Sequence, residues 1–345
     1  MDRKHKGIVE RLTGLWAFNE AAFGGILHGL HLPVTGLFIG GLSVIVISLI
    51  GYYAENSKAI IKSMLIAASV KFVVAPYTPL NAYVALFIQG GFGFLLFRKG
   101  FSYKTAAFSL AIITLFISSL QRIIVYTIVF GFTLWDSLNI FYDFVLVQLN
   151  IDKTFLGTVN FSWAIIIFYV FLHLIAGIFI GLFSAKLPEK LETFRNTNLP
   201  KLQKKIFPEQ ETIKKKKRKS FIKKPSVQII LAVSLILIVL SYTVPGIGKN
   251  EAEKIGIMLI RVLAILTVWY LLVLPIVTKY LRRLLNKTKL KYGEEIEIII
   301  LEFPEFKQLA LNSWELTKGN GIATRIKGFF FYIFAYLIFP IEDKK

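Results

Sequence analysis

Residues 160–184 read NFSWAIIIFYVFLHLIAGIFIGLFS, twenty-five residues without one Asp, Glu, Lys or Arg. A helix of roughly 20 mostly apolar residues spans the hydrocarbon core of a bilayer and satisfies its own backbone polar groups there. This stretch therefore predicts a transmembrane helix. The rest of the chain has the same character, because 55% of its 345 residues are hydrophobic and its mean hydropathy is +0.62.

The same reasoning applies to other apolar stretches on both sides of this one. We predict six spans before a strongly basic segment and about three after it, which makes the fold class an all-α, polytopic helical membrane protein. The predicted spans are Leu12–Leu30, Pro33–Tyr53, Lys58–Ala75, Pro79–Phe97, Lys104–Gly131, Asn160–Ser184, Val227–Thr243, Ile255–Tyr280 and Arg325–Phe339. The first span is the weakest by hydropathy, because it contains Asn19 and Glu20.

Charge divides the chain into three predicted domains and orients it. They are a six-span bundle over residues 1–185, a basic cytoplasmic linker over residues 186–226 and a second membrane region over residues 227–345. The linker carries fourteen Lys or Arg against four Glu, within a formal charge of +20 for the chain. Lys and Arg accumulate in cytoplasmic loops. If the N-terminus is inside, Lys153 is the only Lys or Arg in the outer loops of the bundle. We therefore predict a multi-pass protein of the cell inner (plasma) membrane with a cytoplasmic N-terminus.

The basic linker also bears on the partners of the chain. A basic run can bind nucleic acid, but beside membrane spans it more often lies in the cytoplasm and touches anionic lipid. We expect the lipid bilayer, and anionic lipid at the linker, as partners and do not expect nucleic acid.

Two segments outside the spans have open interpretations. Phe132–Val159 shows the apolar recurrence of a short surface helix; it either caps a site from outside or merely connects two spans. Glu294–Lys318 reads as an amphipathic helix interrupted at Pro304. It either binds lipid or a partner, or covers the helix ends of its own chain.

Several polar residues lie within the predicted spans. A charge at membrane depth costs about 2.5–3.5 kcal/mol on insertion scales, so such residues usually face the bundle interior or water. The predicted orientation places most of them in the outer half of the membrane, where two cations suit a small polar or anionic ligand. The alternative, for each residue singly, is snorkelling or a structural hydrogen bond. The candidate substrate-binding residues are Lys71, Asn81, Gln89, Gln121, Arg122, His28 and His31.

A stripe of small residues marks the first span. Ala17, Ala21, Gly25 and Gly29 follow each other at intervals of four and so share one helix face. Small residues let membrane helices approach closely. The stripe is a candidate subunit interface, and the alternative is packing within this chain.

The motifs of common enzyme classes do not occur in the sequence. It has no cysteine, no GxxxxGK[ST] phosphate loop and no HExxH motif, and its four histidines are scattered. We predict no enzyme activity, no catalytic residues, no cofactor and no bound metal. Energy from ATP would have to come from other subunits.

The six spans, the cytoplasmic N-terminus and the small-residue stripe, with the segment His28–Gly51, resemble the substrate-binding S component of energy-coupling factor (ECF) vitamin transporters. The resemblance covers about residues 10–185. It implies that Ala17 and Ala21 meet a transmembrane coupling subunit, that separate ATPase subunits supply energy, and that a vitamin-like substrate enters from outside. The C-terminal part looks somewhat like the end of the family's coupling (T) subunit.

A second hypothesis assigns no transport to the chain. It is a membrane scaffold that recruits cytoplasmic partners or anionic lipid through the basic linker and the amphipathic helix.

Overall fold

The computed structural model describes residues 3–24, 35–75, 78–98, 100–150, 159–202, 274–319 and 321–339. Its described elements are ten α-helices and one π-helical turn, with no strand among them. In chain order they are α1 (Arg3–Phe18), the π turn (Asn19–Phe23), α2 (Thr35–Tyr53), α3 (Lys58–Val74), α4 (Leu80–Leu96), α5 (Tyr103–Phe130), α6 (Thr133–Gln148), α7 (Phe161–Leu202), α8 (Leu274–Leu301), α9 (Phe303–Leu316) and α10 (Ile322–Ile338).

Among the described residues, three helices are long and apolar enough to cross a membrane. They lie at Thr35–Tyr53, Tyr103–Phe130 and Phe161–Arg195. They indicate a helical membrane protein, as the sequence predicts. The finer count of six spans plus three is not confirmed: α4 is apolar but has 17 residues, and the predicted spans Val227–Thr243 and most of Ile255–Tyr280 lie outside the described residues.

The described residues fall into two compact units. Unit 1 comprises those within Met1–Ile123, Trp163–Phe207 and Ile276–Lys345, and unit 2 those within Ile124–Ser162 and Pro208–Pro275. The C-terminal helices thus belong to the same unit as α1–α4.

The core of unit 1 forms where α1 packs against α2 and α3, and α4 packs against both of these. Nearly every residue from Val44 to Ile50 of α2 is buried, which explains why this stretch is apolar on all sides. In the same unit α7 approaches α5 closely at Gly177 and Gly181. A Cβ atom on Gly177 would lie 3.2 Å from the backbone of Ile112, so small residues four apart permit this helix contact.

The C-terminal helices pack on the first helix of unit 1. Pro304 stands in the first turn of α9, where a missing N–H is tolerated, and this explains why a new helix begins there. Phe303 and Phe306 of α9 contact the ring of Phe18, with ring centroids 5.2 and 5.8 Å apart. The amphipathic segment therefore covers part of its own chain, which is one of the two alternatives left open by the sequence.

The last helix, α10, was predicted as a transmembrane span. It has 17 residues and is not among the three helices that meet the length and hydropathy for crossing a membrane. It packs against α9 and α1, and the Nε of Arg11 donates to the carbonyl of Leu337 at 2.6 Å. A cation at the C-terminal end of a helix binds its free carbonyl groups and interacts favourably with the helix dipole.

Helix α6 of unit 2 lies in the predicted surface segment. The backbone N–H of Ser162 donates to Oδ1 of Asn139 at 2.9 Å, and the rings of Tyr142 and Phe161 stack with centroids 4.6 Å apart. Residues 151–158 lie outside the described residues. The segment therefore contains the helix that its periodicity predicts.

Candidate functional site

The end of α1 turns two polar side chains into the core of unit 1. Asn19 and Glu20 open the π turn and are 0% and 3% exposed. A π turn contains one extra residue and often marks a functional position. In a regular helix, successive side chains point about 100° apart, so burying both of these neighbours requires polar partners on more than one side.

Glu20 forms an ion pair with a lysine of α3. Lys71 Nζ lies 2.6 Å from Glu20 Oε2, and both side chains are almost fully buried. Ser43 Oγ on α2 donates to the other carboxylate oxygen at 3.0 Å, and Lys71 Nζ lies 5.8 Å from the ring centroid of Tyr83 on α4. Buried charges persist when they are paired and hydrogen-bonded, and both conditions are met here.

Three buried polar atoms beside this pair have no hydrogen-bond partner among the described residues. They are Oδ1 of Asn19, the hydroxyl of Tyr83 and Oε1 of Gln89. The orientation of the Asn19 amide is fixed, because its Nδ2 donates to the carbonyl of Ile39 and to Ser43 Oγ, each at 3.0 Å. Its oxygen is therefore an acceptor without a donor.

The amide of Gln89 lies beside α2 at Gly40. A Cβ atom on Gly40 would lie 3.5 Å from Gln89 Nε2, which is ordinary van der Waals contact. Gly40 precedes Ser43 by three residues and therefore lies one turn away on the same side of the helix. We call Asn19, Glu20, Ser43, Lys71, Tyr83 and Gln89 the polar cluster.

The predicted substrate-binding residues differ in how deeply they are buried. Lys71 and Gln89 are buried in the polar cluster. Asn81 is exposed and Arg122 half-buried, and Gln121 Nε2 donates to the backbone carbonyl of Asn81 at 2.8 Å, which joins α5 to α4.

The two predicted histidines and half of the small-residue stripe are not among the residues that the structure describes. His28, His31, Gly25 and Gly29 lie outside the described residues. Ala17 and Ala21 are buried in the core of unit 1, so these two residues pack within the chain.

Sequence reasoning missed the partner of Lys71. Glu20 was noted only because it weakens the hydropathy of the first span. A signal existed, because a carboxylate in an apolar span needs a cationic partner, and Lys71 is a cation within another predicted span. Ser43 and Tyr83 carry no such signal, since either is ordinary in a membrane helix.

A second group of charged residues lies at the other end of α3. Lys62 Nζ lies 2.8 Å from Glu295 Oε1 on α8 and 5.1 Å from the ring centroid of Tyr292. These helices and α1 enclose a cavity of about 330 Å³ that Glu10, Arg11 and Glu302 also line. Burial and the carboxylate of Glu305 raise the pKa of Glu302, and Arg11 opposes this shift.

In the described part of the chain, no three His, Cys, Asp or Glu side chains are grouped so that they could hold a metal ion. Comparison with models of protein families, with characterised proteins and with solved structures gave no match to this chain.

Proposed function

We propose that this chain is a membrane transport subunit that captures a small polar, vitamin-like substrate from outside the cell. The observation that carries the proposal is the polar cluster, in which a buried ion pair adjoins polar atoms without partners. Ionisable residues within membrane helices are costly and usually belong to substrate or ion pathways.

The position of Lys71 supports capture from outside. On the predicted orientation Lys71 stands late in an outgoing span, in the outer half of the membrane, while Glu20, Ser43 and Gln89 stand near the middle of their predicted spans. The resemblance to the S component of ECF transporters supports the same direction and supplies the expected partners. These are a transmembrane coupling subunit and separate ATPase subunits.

One observation weighs against the scaffold hypothesis. That hypothesis needs the apolar face of the amphipathic segment for a cytoplasmic partner. Phe306 and Leu309 of this face are buried, and a Cβ atom on Gly14 of α1 would lie only 2.8 Å from the Phe306 ring. The face is therefore already occupied by the chain itself.

Ligand-dependent thermal stabilisation tests the proposal directly. The purified full-length protein in lipid nanodiscs is screened against vitamins and their precursors. A true ligand raises the unfolding temperature in a concentration-dependent way, because it binds only the folded state. Absence of any such shift across the set would contradict the proposal.

The orientation has its own test, made simple because the chain has no cysteine. Single cysteines replace Asn56, between α2 and α3, and Gln148, at the end of α6. A maleimide that cannot cross membranes should label Gln148→Cys in intact cells and Asn56→Cys only after lysis. The reverse pattern would put Lys71 in the inner half of the membrane.

A further inference from the structure

The charge balance of the polar cluster restricts what the proposed substrate can be, and this inference rests on the proposed function. Glu20 and Lys71 neutralise each other at 2.6 Å, with side chains 3% and 2% exposed. A ligand with net negative charge would have to take Lys71 from Glu20 and leave that carboxylate unpaired in the core. An unpaired buried charge is strongly unfavourable, so a charged ligand is selected against.

The neighbours of Glu20 reinforce this selection. Its other oxygen accepts from Ser43 Oγ at 3.0 Å, and Ser43 Oγ accepts in turn from Asn19 Nδ2. Moving Glu20 to make room for an anion would therefore break a chain of hydrogen bonds as well as the ion pair. The sequence alone, which shows Lys71 without its partner, predicts either a polar or an anionic ligand.

The atoms still available for binding are mainly acceptors. Asn19 offers only its oxygen, because its amide nitrogen is engaged twice. Gln89 offers a buried oxygen, and Tyr83 a hydroxyl that can donate or accept. All three side chains are at least 95% buried, so a substrate that supplies matching donors relieves a desolvation penalty.

We propose that the substrate is a small molecule without net charge that presents at least two N–H or O–H donors to Asn19 and Gln89. Primary amides, amino-substituted heterocycles and polyols meet the donor requirement, whereas simple carboxylates and phosphates do not.

The test sorts probes by charge and by donor count. Full-length protein in nanodiscs is screened by thermal shift against small metabolite-like molecules grouped as anions, cations and neutral molecules. Each hit is then compared with its carboxylate, primary amide and methyl ester analogues. We expect hits among neutral molecules with two or more donors, and a loss of affinity of about tenfold when the amide becomes an ester.

Variants tie the preference to the cluster. Asn19→Leu and, independently, Gln89→Leu remove one acceptor each and should weaken binding of the hits by about tenfold. Ser48→Ala is the matched control, because its Oγ is also buried without a partner and lies on α2, five residues beyond Ser43. It should leave affinity unchanged. If Asn19→Leu does not fold, the affinity of Gln89→Leu for the hits still tests the inference.

The outcomes separate this inference from the proposed function. Binding confined to anions, dependent on Lys71 and insensitive to both leucine variants, would overturn the inference while the transport proposal stands. Binding of no molecule in any group would overturn both. Binding of neutral donors that both leucine variants weaken supports both.

Discussion

Two Lys–Glu pairs share helix α3 and differ mainly in how much water reaches them. Lys71 and Glu20 are 2.6 Å apart with side chains 2% and 3% exposed; Lys62 and Glu295 are 2.8 Å apart with side chains 35% and 34% exposed. The two distances are alike, so burial sets the difference in energy. Breaking a buried pair costs about 3–5 kcal/mol, whereas an exposed pair is worth about 0–1 kcal/mol.

The difference also separates two roles. The Lys62–Glu295 pair, which is half-buried, fastens α8 to the start of α3, where water reaches both side chains in part. The buried pair adjoins polar atoms without partners. The same two residue types thus serve attachment at one end of a helix and, on our proposal, recognition at the other.

The largest expected effect comes from breaking the buried pair. Glu20→Gln should lower the free energy of unfolding by about 3–5 kcal/mol, because it leaves the Lys71 ammonium uncompensated in the core. The double variant Glu20→Gln, Lys71→Gln should recover most of this loss, since neither charge remains. Denaturant titration in detergent micelles measures both. A single variant as stable as wild type would show that the pair is not buried.

Two serine variants should have effects of intermediate size on the free energy of unfolding. Ser43→Ala removes a hydrogen bond to the Glu20 carboxylate and the acceptor of a neutral one from Asn19 Nδ2, whereas Ser63→Ala removes a single neutral hydrogen bond of 2.7 Å to Thr13. Hydrogen bonds to charged groups contribute about 1.5–3 kcal/mol and neutral ones about 0.5–1.5 kcal/mol. Ser43→Ala should therefore be the more destabilising in the same titration, and equal losses would contradict a charged Glu20.

The half-buried Lys62–Glu295 pair should contribute less than the buried pair, and its contribution should depend on salt. Lys62→Met should lower the unfolding free energy by about 0–1 kcal/mol, because water solvates Glu295 once its partner is gone. Added sodium chloride should shrink the difference from wild type, since salt screens exposed charges and hardly reaches buried ones. A large loss that salt leaves unchanged would show that this pair is also buried.

The smallest expected effect is a change in the pH dependence of stability, which comes from Glu302 near the half-buried Lys62–Glu295 pair. The raised pKa of Glu302 means that the folded protein favours its protonated form. Its stabilising contribution is present below the ordinary carboxyl pKa and is lost as pH rises through the raised folded value. Glu302→Gln should flatten the dependence of the unfolding midpoint on pH in this window.

The exposed Glu297 on α8 provides the control for this measurement. Glu297→Gln should leave the pH dependence as it is in the wild type. If both variants flatten it equally, the effect comes from the overall charge of the segment and not from burial of Glu302.

Much of the helical layout follows from local sequence. Hydropathy predicts α2 and α5 within a few residues of their ends, because an apolar run needs no knowledge of its neighbours to favour a membrane helix. α7 is predicted at its start but continues to Leu202, eighteen residues beyond the predicted end. The reason is that the span was ended where charge begins, and charge does not stop a helix.

The C-terminal segment shows what hydropathy alone does not predict. The apolar sequence of α10 predicts a span; the structure packs this helix on α9 and α1, and with 17 residues it is not among the three helices that meet the length for crossing a membrane. Apolar residues are buried equally well by lipid or by protein, so hydropathy alone does not distinguish the two.

The sequence by itself determined that the described part of the chain is helical and that it contains helices long and apolar enough to cross a membrane. It also predicted Lys71 and Gln89 within spans. Only the tertiary structure decided that Lys71 meets Glu20, that Asn19 keeps an unpaired oxygen, and that Lys62 meets Glu295. The physical reason is that helix formation and membrane insertion depend on neighbouring residues. An ion pair instead needs two side chains separated by 51 or 233 positions to come within hydrogen-bonding distance, and that depends on how the helices pack.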